Sequence, residues 1–484
     1  MSDVIDKVFA HEGLSKLDKA ALVARYDVTQ ALHAISTPLR AKLGQPQQGF
    51  VISSIPPQGI LLTTPGTYTF AGPLNWTPPA APGAAITIVG NGIVLDMMGF
   101  ALTASVSDLA QIVSGIYVFG SSNVTIRNGT LANMGYLGIG ADVVSNLTLD
   151  RVTVSGVGFD NLFVRNACPA GIHIDHASQP TLTGCVVQDM NVTSDSSAGI
   201  QILNTIGGTV SGCTVSNLVN NDGSVQGYST IASAGLTTTN CTAENLRTHF
   251  NGNVMTLGHT VLGFCPIFCV DLSYSHCTAI GMTGCCDDCH GMSVFLDLGI
   301  KVTNFKAQGV TDGVCPEQTG AKATGLEVYG ALVAISDCSV QDIKAINPQD
   351  LQGTGFSVWG WGISFTDCQA KNVVVVDAKG NKNPAVGYGT GFGWAPDPRP
   401  EFRIVGAYSV TYSGCSATDC QVGFDTWFHV GSTWTKVSYT NCDIDILVQP
   451  GASRTLSANP CSECNPPLVV AITNIASGNK YPGS

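Results

Sequence analysis

A ten-residue pattern of polar and apolar positions recurs through the middle of the chain. Each copy has cysteine in its fifth place, valine, alanine or isoleucine two residues later, and usually an apolar residue five later. The copies are TLTGCVVQDM (181–190), TVSGCTVSNL (209–218), TTTNCTAENL (237–246), SYSHCTAIGM (273–282), AISDCSVQDI (334–343), SFTDCQAKNV (364–373), TYSGCSATDC (411–420) and SYTNCDIDIL (438–447). Related segments place Phe305 and Gly129 where the cysteine stands.

The spacing of these cysteines predicts a solenoid. The step from Cys185 to Cys213 and the step from Cys213 to Cys241 are both 28 residues, and the later steps, counted through Phe305, range from 27 to 47 residues. A period in this range is typical of solenoids. The segments are short, β-branched and separated by Gly, Asn or Asp, which indicates strands and not helices. Stacked coils then place one cysteine above the next, and we expect a buried column of thiols, because free cysteine behaves as a small hydrophobe.

A second strand, led by glycine, precedes each cysteine motif, as in GIYVF (115–119), GIHID (171–175) and GLEVY (325–329). Since side chains alternate across a strand, we expect one inward and two outward columns. The inward column holds Ile116, Ile172, Ile200, Met292, Leu326, Phe356 and Phe424. The first outward column holds Tyr117, His173, Gln201, Ser293, Glu327, Ser357 and Asp425. The second outward column holds Phe119, Asp175, Leu203, Phe295, Tyr329, Trp359 and Trp427.

The aromatic residues of the second outward column are the first functional signal. Phe119, Phe295, Tyr329, Trp359 and Trp427 would form an exposed apolar surface, and such surfaces usually have a partner. Two interpretations remain open. The column is a groove that binds a ligand, or it is covered by a loop or by a sister subunit, for instance in a homotrimer.

These patterns resemble the right-handed parallel β-helix superfamily, the pectate-lyase-like fold. The resemblance covers roughly residues 60–450, and GIYVFGSSNVTIRNGTLANM (115–134) is similar to a coil of that superfamily. We therefore expect an all-β, right-handed parallel β-helix over 46–450. Apolar residues at helical spacing predict a helical cap or anchor over 1–45, and a loop-rich tail follows over 451–484. The resemblance also implies carbohydrate binding along a strand face.

Composition narrows the classes of partner. The chain has 484 residues and a formal net charge of −12, which disfavours a nucleic-acid partner. Hydrophobic residues make up 44% of it, which excludes a disordered chain. No apolar run of about 18 residues suggests a membrane span, and the acidic start MSDVIDKVFAHEG does not resemble a secretory signal. We expect cytoplasmic synthesis in a reducing compartment, with a virion or non-classical export as the exception.

Candidate catalytic residues come from two sources. Asp287 and Asp288 resemble the DD pair of polygalacturonase-like β-helix hydrolases, and His290–Gly291 resembles their HG pair, although that family places the two pairs on successive coils. NTD and RIK motifs are absent from the sequence. Outward acids are suited to general acid–base work. Those nearest the aromatic column are Glu327 and Asp425, and His173 with Asp175 forms a second polar set.

Five cysteines between 259 and 290 lie outside the repeat. They are Cys265, Cys269, Cys285, Cys286 and Cys289. CPIFC followed by CCDDCH approaches the spacing of zinc ligands, which makes Cys265, Cys269, Cys286 and Cys289 candidate ligands and zinc a possible cofactor. A disulfide and plain free thiols are the alternatives. We predict that at least two of the five are linked to each other, which would hold an inserted loop over the groove near Phe295.

Three functions follow as hypotheses. The first is a glycan-binding or glycan-cleaving protein, either a hydrolase or a lyase. The second is a structural or adhesion protein such as a viral fibre or tailspike. The third is an intracellular isomerase or cyclase that acts on a small apolar molecule. The sequence carries no dinucleotide-binding fingerprint and no phosphate loop.

Overall fold

The structure is a computed structural model that describes most of the predicted β-helix. The described residues are 48–79, 82–106, 112–160, 168–249, 260–285, 288–313, 322–346, 352–382, 388–393, 407–425, 429–447 and 453–456. The predicted N-terminal cap lies outside these ranges, and so do Cys286, Asp287 and Trp427. Of the predicted tail, only 453–456 is described, and it forms a strand. Every regular element in these ranges is a strand, so they contain no helix that could cross a membrane.

The described residues form two compact units, with the boundary after Glu244. Twenty strands precede the boundary. They are β1 Gln48–Ile52, β2 Ile60–Leu62, β3 Gly66–Phe70, β4 Leu74–Trp76, β5 Gly83–Ile88, β6 Ile93–Asp96, β7 Ala101–Ala104, β8 Val113–Phe119, β9 Thr125–Ala132, β10 Leu137–Ser145, β11 Thr148–Ser155, β12 Gly158–Asp160, β13 Ala170–Ser178, β14 Thr181–Thr183, β15 Val186–Thr193, β16 Ser196–Leu203, β17 Thr209–Ser211, β18 Thr214–Asn220, β19 Ser224–Ile231 and β20 Thr237–Thr239.

Strand β21, Thr242–Thr248, contains the boundary, and the later strands belong to the second unit. They are β22 Val261–Ile267, β23 Ser273–Ser275, β24 Thr278–Ile280, β25 Cys289–Leu298, β26 Lys301–Thr303, β27 Lys306–Asp312, β28 Lys322–Ala331, β29 Ala334–Ser336, β30 Ser339–Ile346, β31 Gln352–Trp361, β32 Ser364–Thr366, β33 Gln369–Val376, β34 Tyr388–Gly393, β35 Ala407–Tyr408, β36 Thr411–Ser413, β37 Ser416–Thr418, β38 Val422–Asp425, β39 His429–Thr435, β40 Ser438–Thr440, β41 Ile444–Leu447 and β42 Ser453–Leu456.

Each unit is a right-handed parallel β-helix, as predicted. A regular coil has three strands, and each pairs in parallel with its equivalent in the next coil. In the first unit β13 pairs with β16, β14 with β17 and β15 with β18. In the second unit β28 pairs with β31, β29 with β32 and β30 with β33. The ten-residue motif therefore supplies two strands and the turn between them, and the glycine-led segment supplies the third.

The turn inside the motif explains the residue that precedes each cysteine. Gly184, Gly212 and Asn240 have φ values of 59°, 61° and 53°. Asp337 and Asp367 repeat this with 55° and 52°. This left-handed conformation is open mainly to Gly, Asn, Asp and His. The backbone therefore requires those residue types at this place, and the cysteine that follows turns inward.

The motif cysteines contact one another inside each unit. Cys213 hydrogen-bonds with both Cys185 and Cys241, and all three side chains are fully buried. The hydrogen bond with Cys185 lowers the pKa of Cys213, but the one with Cys241 and burial outweigh it and raise the pKa to about 12. Cys368 makes the same contacts with Cys338 and Cys415 in the second unit. These cysteines are free thiols that pack as small apolar groups.

The glycine that leads the first strand of each coil lies in close contact with a side chain from another strand and with the backbone of the next coil. A Cβ added to Gly171 would overlap Val187 Cγ1 and lie 2.9 Å from the carbonyl oxygen of Gly199. A Cβ on Gly325 would meet Val340 Cβ at 2.6 Å and the oxygen of Gly355 at 2.7 Å. The strand therefore bends inward at this glycine, and the predicted inward column that follows it is fully buried.

Gly171→Ala should destabilise the first unit by about 1–3 kcal/mol, because the added methyl group overpacks a site without space. Gly83→Ala is the matched control, since an added Cβ there meets nothing within 4 Å, and its effect should stay within about 0.5 kcal/mol. Chemical unfolding measures both. If the overlap with Val187 is the cause, adding Val187→Ala to Gly171→Ala should recover part of the lost free energy of unfolding. Effects of the two substitutions that simply add up would contradict this explanation.

Candidate active site

In the second unit, two columns of side chains flank the bend at the leading glycine. One column lies two residues after the glycine and aligns Ser293, Glu327 and Ser357 on adjacent strands. The other lies one residue before it and aligns His290, Thr324 and Thr354. The contact between His290 and Glu327 described below shows that both columns face the same side. We call this concave strip the crease.

A cluster of charged side chains occupies the crease. Lys322 Nζ lies 2.6 Å from Glu327 Oε1, to which it donates a hydrogen bond, and 3.8 Å from Asp288 Oδ1. Ser293 Oγ donates to Glu327 Oε2 at 3.2 Å. His290 Nε2 lies 3.7 Å from Asp288 Oδ1. The structure thus brings together three of the predicted catalytic residues, Asp288, His290 and Glu327.

His290 lies between the two carboxylates without a hydrogen bond at Nδ1. Its Nδ1 atom is 3.5 Å from Glu327 Oε2, which is ion-pair range, yet this atom makes no hydrogen bond. We take the geometry as a close contact that needs a small shift to become a hydrogen bond, because apo catalytic contacts are often long. The imidazole therefore lies within ion-pair range of both carboxylates.

The cluster is shielded from water. The side chains of Lys322 and Glu327 are only 10% and 11% exposed, and that of His290 only 2%. Asp288 is the most open member at 24%. Low local dielectric strengthens each ionic contact, but a buried charge that loses its partner is costly. The four side chains therefore form one interdependent group that is entered from the Asp288 side.

Lys322 was not predicted from the sequence, although the cluster depends on it. It is the first residue of β28 and lies five positions before Glu327. The fully buried carboxylate of Asp312 accepts hydrogen bonds from the backbone N–H of Lys322 and of Gly313. This fixes the start of β28 and so the origin of the lysine side chain. The available signal was a lysine at the start of a strand whose only other charged residue is Glu327.

The structure does not bring Asp425 to Glu327. The two lie in the same column but on strands β28 and β38, with β31 and β34 between them. At the usual strand spacing this is a separation of about 14 Å. Paired glycosidase carboxyl groups are roughly 5–9.5 Å apart. Asp288, not Asp425, is therefore the carboxylate that pairs with Glu327.

The predicted aromatic column is real in the second unit, but most of it is not exposed. Phe295 and Tyr329 stack with ring centroids 5.0 Å apart, and Tyr329 lies 5.8 Å from Trp359. Tyr329 and Trp359 are only 5% and 4% exposed within a single chain, and Phe295 is half-buried. Phe295 stacks on Tyr329, and Trp359 is tilted by 50° from Tyr329, so the rings form a wall beside the crease in which Phe295 is the most exposed of the three. A sister subunit is not needed to cover them.

The corresponding positions of the first unit carry a different set of groups. Phe119 is 47% exposed and aligns with Asp142 and Asp175, not with other aromatic rings. His173 Nδ1 lies 2.7 Å from Gln201 Oε1. His176 Nδ1 lies 3.0 Å from Asp175 Oδ1 and 3.6 Å from Asp142 Oδ1. His173 is thus held by an amide and not by a carboxylate.

The proposed zinc ligands do not converge among the residues that the structure describes. Cys265, Cys269 and Cys289 are free, buried thiols. Val261 aligns with Cys289, so Cys265 lies four residues farther along the strand direction, about 13 Å away. Within the described ranges, the acids and imidazoles close enough to share an ion are Asp142, Asp175 and His176. Burial, and then the carboxylates of Asp297 and Glu327, raise the pKa of Cys265, which opposes the thiolate that zinc requires.

One of the five additional cysteines is linked. Cys285 forms a disulfide, and its partner is not one of the thirteen described cysteines with free thiols. Cys265, Cys269 and Cys289 take no part in a disulfide. Cys286, the remaining member of the five, lies outside the described residues, so the prediction of a pair within this group stays a prediction.

The comparisons with known proteins agree with the fold. Residues 112–259 match a family model described as a right handed beta helix region. The resemblance to β-helix proteins is thereby confirmed at the level of the fold. No curated protein sequence matches the chain.

Several solved structures are similar at low identity. Tailspike protein 3 of bacteriophage CBA120 is 11% identical, with 81% of this chain and 57% of that chain covered and a TM-score of 0.40. The catalytic domain of a GH87 alpha-1,3-glucanase in complex with nigerose is 12% identical, with 85% and 62% covered and a TM-score of 0.30. The mannuronan C-5 epimerase AlgE4 A-module of Azotobacter vinelandii is 11% identical, with 93% and 97% covered and a TM-score of 0.30. The chain spans less than two thirds of the tailspike and glucanase chains, and TM-scores of this size decide nothing about activity.

Lys322→Met should lower the free energy of unfolding by about 3–5 kcal/mol, because it leaves the buried Glu327 carboxylate without its cation. Adding Glu327→Leu should recover most of the lost free energy of unfolding, because it removes the unpaired charge. Arg151→Met, which breaks the exposed pair with Asp150, is the control and should cost less than about 1 kcal/mol. A Lys322→Met variant as stable as the control would contradict the buried pair.

Thiol titration tests the disulfide. In denaturant without reductant, at least two of the 18 cysteines should fail to react, and all 18 should react after reduction. In the native protein, the motif thiols such as Cys213 should resist alkylation at pH 8, because the pKa of Cys213 is raised to about 12. A full count of free thiols in unreduced, denatured protein would show that Cys285 is not linked.

Proposed function

We propose that the protein binds and hydrolyses a glycan at the crease of its second unit. The observation that carries this proposal is the pair of carboxylates held by one lysine. Because Lys322 Nζ lies 2.6 Å from Glu327 and 3.8 Å from Asp288, the two oxygens are at most about 6.4 Å apart. For these two oxygens the limit is compatible with the roughly 5–5.5 Å of retaining glycosidases and lies at the lower end of the inverting range.

The two carboxylates have different surroundings, which favour a different catalytic role for each. The ammonium of Lys322 and the hydroxyl of Ser293 both donate to Glu327, and these two bonds hold its carboxylate in place, as a nucleophile requires. Asp288 is more open to solvent and lies at the entrance. It is placed to protonate the leaving glycosidic oxygen while a carboxylate oxygen of Glu327 bonds to the anomeric carbon.

The second step hydrolyses the bond between Glu327 and the sugar and returns both carboxyl groups to their starting states. Asp288, now ionised, removes a proton from a water molecule, and the water oxygen displaces Glu327 from the anomeric carbon. His290 lies within 3.7 Å of Asp288 and 3.5 Å of Glu327 and so fixes the space between the two carboxylates. Phe295, half-buried beside Ser293, offers an aromatic edge against which a sugar ring packs.

The other two hypotheses draw less support from the same geometry. For a fibre, Tyr329 and Trp359 leave little aromatic surface for a sister subunit to cover, because both are already buried within one chain. An isomerase of an apolar molecule would need an apolar pocket, whereas ionic groups line the crease. A homotrimer remains a proposal, which sedimentation would test. An origin in a virion also remains a proposal.

Incubation with a panel of polysaccharides should release reducing ends. Glu327→Gln and Asp288→Asn should each lower kcat by at least about a hundredfold, the contribution of one positioned acid or base. Asp342→Asn, an identical change at an exposed carboxylate of the same unit, should leave the rate unchanged. If both crease variants cleave as fast as the wild type, cleavage occurs elsewhere. If the wild type cleaves no class of glycan, the proposal is refuted.

A further inference from the structure

The cation in the crease is already neutralised. Lys322 Nζ contacts carboxylate oxygens of both Glu327 and Asp288. Its side chain is 10% exposed, so solvent reaches little of it. A uronic acid or a sulfated sugar placed here would have to displace one of these carboxylates to reach the ammonium, and would meet two negative charges for one positive charge.

Three other polar atoms of the crease make no hydrogen bond. Thr324 Oγ1 and Ser357 Oγ are fully buried and make no hydrogen bond, and His290 Nδ1 makes none either. Thr324 follows His290 in its column, and Ser357 follows Glu327 in the other. Buried polar atoms normally have partners. A buried water molecule satisfies such atoms without adding charge.

We propose that the crease selects glycans that carry no carboxylate or sulfate, so that its substrate is a neutral polysaccharide or one with amino sugars. This inference rests on the proposed function, because it concerns the substrate of the same site. Asp288 sets the selectivity. It supplies the second negative charge on Lys322 and lies at the entrance, where an incoming sugar meets it first.

Equilibrium binding at low temperature tests this selectivity. The probes are oligosaccharides of equal length made of glucose, glucosamine and galacturonate. The wild type should bind the neutral or amino oligomer at least about tenfold more tightly than the galacturonate oligomer, the difference made by one charge-assisted hydrogen bond. Asp288→Asn releases Lys322 from one carboxylate and should raise the affinity for the galacturonate oligomer by about tenfold.

Asp342→Asn changes the net charge of the protein equally but lies on an exposed surface, so it controls for general repulsion between an acidic protein and an acidic glycan. It should leave galacturonate binding unchanged. Wild-type binding that favours galacturonate, or an equal response of the two variants, would overturn the selectivity and leave the glycan-binding function standing. Failure of all three probes, together with an inactive polysaccharide panel, would instead overturn the proposed function itself.

Discussion

The close approach of the leading glycine to the opposite wall is the constraint on which each unit depends. At Gly171, Gly325 and their equivalents, a side chain would collide with a valine or alanine across the core and with the carbonyl of the next coil. The absence of a Cβ allows the strand to bend there, and the bend closes the coil around a narrow core of stacked apolar residues. Parallel pairing then repeats the bend in every coil.

The same bend creates the crease. It directs the residue before the glycine and the residue two positions after it toward one another, which is why His290 meets Glu327 across 3.5 Å. A straight strand would keep these residues apart along its length. Polar residues at two repeating positions therefore meet in the crease, and Asp288, just before β25, and Lys322, at the start of β28, complete the charged cluster. Fold and candidate chemistry share one cause, and most of the site lies on strands, which hold side chains rigidly.

Much of this follows from the sequence. The cysteine period, the residue types before each cysteine and the alternation in GLEVY-like segments predict the solenoid, its parallel register and its columns, because these features are local and repeat. Burial was harder to predict. Glu327 and Asp425 are placed correctly in one column, yet both are less than 9% exposed, and their distance follows from how many strands intervene. Lys322 and the pairing of Asp288 with Glu327 depend on contacts between coils, which no single-segment pattern encodes.

A crystal structure of the inactive Glu327→Gln variant with a bound oligosaccharide tests the central claim most directly. The account predicts a glycosidic oxygen within hydrogen-bonding distance of Asp288, a sugar ring against Phe295, and Lys322 between residue 327 and Asp288. A sugar bound away from the crease, with Asp288 and Lys322 untouched by ligand, would contradict it.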